Sequence, residues 1–553
     1  MNLREGFVGW PELFANRYRT EGCWNGKTLY GYLRDSQEQF GNKVAIVDGA
    51  KRLSYSELLK LVDHLAVRLF DMGFRPKDTF VIQLPNCWEL VVFLFACLRL
   101  GVVPVMALPG HRASEIGYFI DLVEARGLAI PDSLRSFDHL GMGIELKERC
   151  PSLNTLFVIN TGPSKLGPEQ IDLDQLILGG GEISNFQELA IDLGPTSDEI
   201  ALFLLSGGTT GVPKLIPRTH DDYGYNFRIS SLRCRFSEAT VYGVFLPASH
   251  NFPLACPGIL GTLYLGGTVV MGRTPEPSYA LALIENEGIT VTAIVPAVAQ
   301  RWLEYVSSNS GHNLSSLQVL QVGGTRMAPE LAFKVDPVLG CTLQQVFGMA
   351  EGLVNFTDLD DSKETICETQ GRPMSPFDEI RIVDDKGEEV PEGEMGQLLT
   401  RGPYTIRGYY RAQEHNQKAF TDDGWYRTGD VVRRDPSGSL VVLGRTKDLI
   451  NRAGEKISSE EIENLLYRIS NVEHATVLSM PDAQKGELVC AVIVLKDKSK
   501  VLTLEALRRE FDRFQIAGYK YPERLELVDE LPLTNVGKID KAKLRNYLEA
   551  RSN

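Results

Sequence analysis

Nine residues, Ser206 to Lys214, read SGGTTGVPK and concentrate the groups that a phosphate chain needs. Gly207 and Gly208 let the backbone turn its N–H groups toward one point, the hydroxyls of Ser206, Thr209 and Thr210 add donors, and Lys214 adds a positive charge. The segment follows an apolar run, Ile200 to Leu205, that reads as a buried strand. It differs from the Walker loop, which ends in Gly-Lys-Ser/Thr; here Val212-Pro213 precede the lysine and Leu215 follows it. A plain turn uses the same residue types. The rest of the chain has to decide between the two.

The elements around it alternate in an α/β manner. Ser54-Tyr55-Ser56-Glu57 has the form of a capping box, and Leu58, Leu61, Val62, Leu65 and Leu69 follow at helical spacing before Gly73. Phe80 to Leu84 predicts a strand, Trp88 to Leu100 a helix, and Val102 to Leu108 the next strand. The rhythm returns with a strand at Thr290 to Val295 and a helix from near Ala297. Strands at Leu317 to Val322 and Leu343 to Phe347 then run into Gly323-Gly324 and Gly348. Glycine-containing strand ends are where open parallel sheets bind ligands, so Ser206, Gly323 and Gly348 are expected to share one crevice.

Past about residue 380 the pattern shifts to short strands, Glu379 to Val383, Gly396 to Arg401 and Ser439 to Leu443, joined by turns such as Asp435-Pro436-Ser437-Gly438. Gly444 to Glu463 is charged and reads as an exposed connection into a helix capped by Ser458 and Glu461. The remainder gives strand, strand, helix, strand, helix. The expected fold is α/β: a large N-terminal domain of α/β subdomains with a small β-rich part, residues 1–446, then a small mobile α+β domain, residues 447–553.

A chain of 553 residues exceeds one core, and 43% hydrophobic with 24% charged residues is a soluble globular composition. A net charge of −14 argues against nucleic acid as a general partner. Nine scattered cysteines contain no C-x-x-C pair, which points to free thiols in a reducing compartment. The start, MNLREGFVGWPE, has no signal-peptide core, and the most apolar run, Leu90 to Leu98, is too short to span a bilayer. The expectation is a cytoplasmic protein without membrane contact.

From the capping box at Ser54 to Lys538, the chain resembles the adenylate-forming superfamily of acyl-CoA synthetases, nonribosomal peptide adenylation domains and luciferases. The resemblance rests on SGGTTGVPK, VGGT at Val322, VFGMAEG at Val346, YRTGD at Tyr426, GRTKDLI at Gly444, GEKIS at Gly454 and NVGKID at Asn535, in the family's order. It implies that a carboxylate attacks the α-phosphate of ATP to give an acyl-adenylate and pyrophosphate, and that a thiol then takes the acyl group. No covalent enzyme intermediate forms, so the protein positions reactants and neutralises charge.

By that resemblance, Ser206, Gly207, Gly208, Thr209, Thr210 and Lys214 hold the β- and γ-phosphates, and Glu351 binds Mg2+. Gly323, Gly324, Val346, Phe347 and Gly348 border the adenine. Asp430 accepts from the ribose hydroxyls with Arg445 as its helper, although these two could instead form a surface ion pair. Lys538 reaches the α-phosphate and the substrate carboxylate. Lys447 is the hinge of the mobile domain, and Lys456, with Gly454, faces the incoming pantetheine thiol.

Pro247 to Gly258, PASHNFPLACPG, resembles the branch that activates 2,3-dihydroxybenzoate or salicylate. Asn251 can hydrogen-bond an ortho-hydroxyl and the adjacent carboxylate, and Phe252 offers a flat apolar wall. His250 resembles a residue at the carboxylate end, with a helix cap as its alternative. Cys256 matches the salicylate type, since a thiol is a poor partner for a catechol 3-hydroxyl, whereas Val354 matches the dihydroxybenzoate type. The resemblance implies a separate aryl carrier protein bearing phosphopantetheine as acceptor, in siderophore or related biosynthesis. A benzoate-type coenzyme A ligase and a non-catalytic nucleotide sensor are the alternatives.

Overall fold

The computed structural model describes residues 3–160, 166–179, 194–207, 213–309, 311–452, 455–482, 485–514, 517–534 and 538–552. It has the expected mixed α/β architecture, a large N-terminal domain followed by a small C-terminal one. Two mainly parallel sheets form most of the large domain. In the first, the strands Thr342–Met349, Val319–Gly323, Val291–Ile294, Val241–Val244, Thr268–Met271 and Val44–Asp48 run parallel in that spatial order. Antiparallel strands close its edges. In the second, Ile200–Leu205, Val103–Met106, Thr79–Ile82, Gly127–Pro131 and Thr155–Ile159 are parallel, and Leu215–Thr219 returns antiparallel along the outer side of Ile200–Leu205.

The helix Trp88–Leu100 lies between these sheets, touching Val44–Asp48 in one and Val103–Met106 in the other. Of its thirteen residues only Arg99 is not buried, which is why its sequence is apolar on every face. Ser54 caps the helix Tyr55–Asp71 in a complete capping box: its Oγ accepts from Glu57 N at 3.2 Å, and the Glu57 carboxylate accepts from Ser54 N at 2.8 Å.

Glu379–Val383, Met395–Arg401, Tyr426–Arg434 and Leu440–Arg445 form an antiparallel sheet, the β-rich part read from the sequence. The C-terminal domain packs the helices Ser459–Tyr467, Leu504–Arg513 and Lys541–Ser552 on a sheet centred on Val472–Asp482 and Gly486–Leu495.

Two expectations change. Gly444 to Glu463 is not a plain exposed connection. It includes Ile450–Arg452 paired antiparallel with Glu455–Ile457, and Ile450 and Ile457 are fully buried in the C-terminal core. The apolar residues there were too few to show a period against the surrounding charges. Ser458 does cap the next helix by accepting from Glu461 N at 3.2 Å, but the Glu461 carboxylate pairs with Lys520 instead of closing a box. Second, Ser206 ends a strand of one sheet while Gly323 belongs to the other. Gly348 does not end a strand; it lies within Thr342–Met349, opposite Val354.

Candidate active site

Ser206 keeps its place at the end of the strand Ile200–Leu205. Its Oγ accepts from Lys214 N at 2.9 Å and its N–H donates to Lys214 O at 3.0 Å, so the two ends of the glycine-rich loop are tied together. Gly208, Thr209 and Thr210 lie outside the described residues, as does Gly454; so do the side chains of Lys447 and Lys456. The ammonium of Lys214 sits 6.0 Å from the centre of the Tyr409 ring.

Tyr409 connects Lys214 to Glu351. Its hydroxyl donates to Glu351 Oε1 at 2.7 Å and lies 3.0 Å from the hydroxyl of Tyr426. The Asn416 side chain fixes the Tyr409 backbone from both sides, accepting from its N–H and donating to its carbonyl, each at 2.9 Å. The Glu351 carbonyl accepts from Ile406 N at 2.8 Å. Glu351 is thus buried and held by backbone and side chain, with Tyr409 donating to one carboxylate oxygen. The donor type suits a hard cation shared with phosphate oxygens. Among the described residues no group of three or more acidic, histidine or cysteine side chains could hold a metal without such help.

Asp430 is 4% exposed, and its Oδ1 takes Arg445 Nε at 2.7 Å. Its Oδ2 is buried with no hydrogen-bond partner among the described residues. A surface ion pair would not leave that orphan; a buried carboxylate oxygen awaiting donors fits a pair of ribose hydroxyls. Burial raises the Asp430 carboxyl, with Arg445 and Lys538 opposing the rise.

Gly323 and Gly324 lie at the end of the strand Val319–Gly323 and just after it. A side chain at Gly323 would meet Val346 O at 2.8 Å and the Phe252 ring at 3.1 Å, and Gly324 has φ +88°, a left-handed backbone that favours glycine. Val346 is buried on the adjoining strand and Gly348 is exposed. Phe347, half-buried, packs against the cluster of Leu353, Leu398, Val432, Leu440 and Val442.

Lys538 reaches Gly324 from the small domain. Its Cε lies 3.5 Å from where a Gly324 Cβ would stand. The turn that carries it is held by Thr534 N donating to Lys538 O at 2.7 Å, and Lys541 pairs with Glu463 at 2.8 Å on the helix behind. Burial lowers the Lys538 ammonium to about 8, and Arg445 adds to the fall while Asp430 and Glu351 oppose it. Lys538, Arg445, Asp430 and Glu351 therefore share one electrostatic neighbourhood, assembled from both domains.

His250 belongs to it as well. It is driven down to about 4 by burial first and by Lys538 second, so it is neutral at physiological pH. Its Nδ1 accepts from Phe252 N at 3.2 Å and caps the short helix Asn251–Ala255, which places the ring proton on Nε2. The cap and the position beside Lys538 are both real.

Beyond His250 lies a polar relay. Tyr223 OH donates to Asn251 Oδ1 at 2.8 Å, and Asn251 Nδ2 donates to Cys256 Sγ at 3.3 Å. Asn226 Nδ2 approaches the same sulfur at 3.8 Å. Burial pushes the Cys256 thiol up to about 11, so it is neutral. Val354 is buried, and its N–H donates to Tyr404 OH at 3.2 Å. Tyr223, Tyr404, Tyr409 and Arg218 escaped the sequence reading. The only signal was a charge inside the apolar run LIPRT with an aspartate four residues later.

The family model for the AMP-binding enzyme matches residues 33–410, and that for the AMP-binding enzyme C-terminal domain matches residues 461–538. The chain is 53% identical over 99% of both chains to a salicylyl-CoA synthase / salicylate adenylyltransferase of a Streptomyces species. It is 46% identical, again over 99% of each, to a 2,3-dihydroxybenzoate-AMP ligase of Bacillus subtilis. Among solved structures, apo MbtA of Mycobacterium smegmatis superposes with a TM-score of 0.75 at 40% identity, covering 98% of this chain and 99% of that one. These matches establish that the chain belongs to the adenylate-forming AMP-binding enzyme family.

Proposed function

We propose that this enzyme activates an aryl carboxylic acid, salicylate or 2,3-dihydroxybenzoate, to its acyl-adenylate at the expense of ATP. It then passes the acyl group to the phosphopantetheine thiol of a separate aryl carrier protein. The observation that carries this reading is the relay Tyr223–Asn251–Cys256, directly after the neutral His250, which feels the Lys538 charge. Tyr223 fixes the Asn251 amide with its nitrogen toward the thiol, so that one hydrogen goes to Cys256 Sγ and the other serves an ortho-hydroxyl or the neighbouring carboxylate. Phe252 against Gly323 gives the ring a flat surface.

The residues divide the work. Lys538 places a positive charge where the attacking carboxylate and the phosphate meet, which offsets their repulsion. Neutral His250 lets the carboxylate approach without adding a competing charge. Asp430, oriented by Arg445, takes the ribose, and the loop from Ser206 to Lys214 takes the leaving pyrophosphate. Mg2+ would be held by Glu351 and would supply charge neutralisation on phosphate oxygens. Lys447 is the proposed hinge between residues 1–446 and 447–553, and Lys456 the residue that faces the pantetheine after rotation.

Salicylate is the favoured acid, supported by Cys256: a buried, neutral thiol already accepting from Asn251 is a poor match for a catechol 3-hydroxyl. Val354 is the residue that supports dihydroxybenzoate instead. A siderophore or related aryl-capped product and a cytoplasmic location complete the reading; no helix among the described residues is long and apolar enough to cross a membrane. Acid-dependent pyrophosphate exchange over a panel of benzoates tests it. Exchange with salicylate is expected, and a clear preference for the catechol overturns the choice of acid.

A second reading keeps the first step and makes coenzyme A the acceptor. It is supported by the salicylyl-CoA synthase wording attached to the relative at 53% identity. Offering the adenylated enzyme coenzyme A or a phosphopantetheinylated carrier, and measuring thioester on each, separates the two.

A further inference from the structure

We propose that Arg218 is a positioning residue that couples the aryl-acid pocket to the Glu351 turn; the proposal rests on the aryl-acid reading above. Arg218 lies four residues past Lys214, on the strand Leu215–Thr219 that leaves the phosphate loop. Its side chain and that of Asp222 are both 0% exposed, and Nε pairs with Asp222 Oδ1 at 2.7 Å. The Asp222 carboxylate is itself fixed as the acceptor of Thr219 N at 2.9 Å, in the capping box of the helix His220–Arg233.

The other two nitrogens of the guanidinium reach both halves of the active site. Nη1 donates to Ala350 O at 2.7 Å, the carbonyl immediately before Glu351. Nη2 donates to Tyr404 O at 3.1 Å, and the Tyr404 hydroxyl in turn accepts from Val354 N at 3.2 Å and donates to Asp378 Oδ2 at 2.6 Å. The guanidinium also stands 4.8 Å from the centre of the Tyr223 ring, whose hydroxyl orients Asn251. One planar group therefore touches the supports of Asn251, Val354 and Glu351.

A buried ion pair is weak evidence for stability, because apolar residues of equal volume serve a core as well. The fork of fixed donor directions is the property that this site uses, and lysine lacks it. Displacing Arg218 releases Ala350 and tilts Tyr223 and Tyr404 together. The acid pocket and the metal carboxylate should then loosen as a unit, although neither touches Arg218 directly.

The test compares Arg218→Lys and Asp222→Asn with Tyr223→Phe and Tyr409→Phe in the full-length enzyme. The readouts are KM for salicylate and half-saturating Mg2+ in pyrophosphate exchange, together with calorimetric Kd for salicylate on metal-free, nucleotide-free protein. Tyr223→Phe is expected to weaken only the acid, and Tyr409→Phe to raise only the Mg2+ requirement. Arg218→Lys is expected to raise both about tenfold or more, weaken salicylate in the calorimeter by a similar factor, and leave the thermal midpoint within a few degrees. Asp222→Asn should show the same paired signature more mildly.

A folded Arg218→Lys enzyme with either parameter at its wild-type value overturns the proposal. Where that variant does not fold, Asp222→Asn decides by the same criterion, and collapse of both assigns the pair to folding and likewise overturns it. A wild-type enzyme without exchange on any aryl acid defeats the substrate reading instead, so the two failures are distinct.

Discussion

Arg445 Nε stands 2.7 Å from Asp430 Oδ1 and leaves Asp430 Oδ2 buried without a protein partner among the described residues. The pair holds one oxygen and leaves the other open to the ribose hydroxyls of the proposed nucleotide site. Replacing Asp430 with Asn exchanges one acceptor for a donor at a site that needs acceptors. The expected cost is about 1–3 kcal/mol of ATP binding, or roughly a 5- to 150-fold rise in KM for ATP. KM for the acid should stay within about twofold, as read by pyrophosphate exchange with each substrate varied in turn.

Lys538 governs the alkaline limb. Its ammonium is lowered to about 8, so the charged form holds below that pH and is lost as pH rises through it. Adenylation kcat/KM should therefore be flat near pH 7 and fall above about 8. Lys538→Ala should remove the limb and lower the exchange rate by about 10²–10³-fold, the loss typical of a transition-state charge contact. Transfer of a preformed acyl-adenylate to the thiol should suffer far less.

His250 contributes no limb near its ordinary value. It is held down to about 4, so it is neutral from pH 5 upward and its protonation matters only in acid. A pH–rate profile of His250→Ala should keep the wild-type shape between pH 5.5 and 7.5. The variant also loses the cap on Asn251–Ala255, a change of about 1 kcal/mol that a thermal melt detects.

Cys256→Ser tests the choice of acid. The thiol takes its hydrogen bonds from Asn251 and Asn226, and serine offers a stronger donor in the same place. Catechol use relative to salicylate should rise about 5- to 150-fold, in line with about 1–3 kcal/mol for satisfying a buried hydroxyl. Competition between the two acids in one exchange assay gives the ratio directly.

Much of the local structure was legible because it depends on neighbours in sequence. The capping box at Ser54 needs only residues three apart, and the helix Trp88–Leu100 declares its burial by being apolar all round. The Gly444–Glu463 stretch defeated the same reasoning, since Ile450 and Ile457 find their core in strands far along the chain.

The α/β alternation is legible in the sequence by itself, and the order of its motifs carries the resemblance to the adenylate-forming superfamily that the family matches bear out. Backbone conformation and residue chemistry at the glycine-rich loop, at Asp430 and at Lys538 are local properties. Tertiary structure alone decided how they meet: Ser206 and Gly323 arrive from different sheets, and Lys538 arrives from a different domain. It also decided that Tyr409 bridges Lys214 and Glu351, and that Arg218 donates to the carbonyls of Ala350 and Tyr404. Such contacts join residues from 58 to more than a hundred positions apart, and no period or spacing in one sequence encodes them.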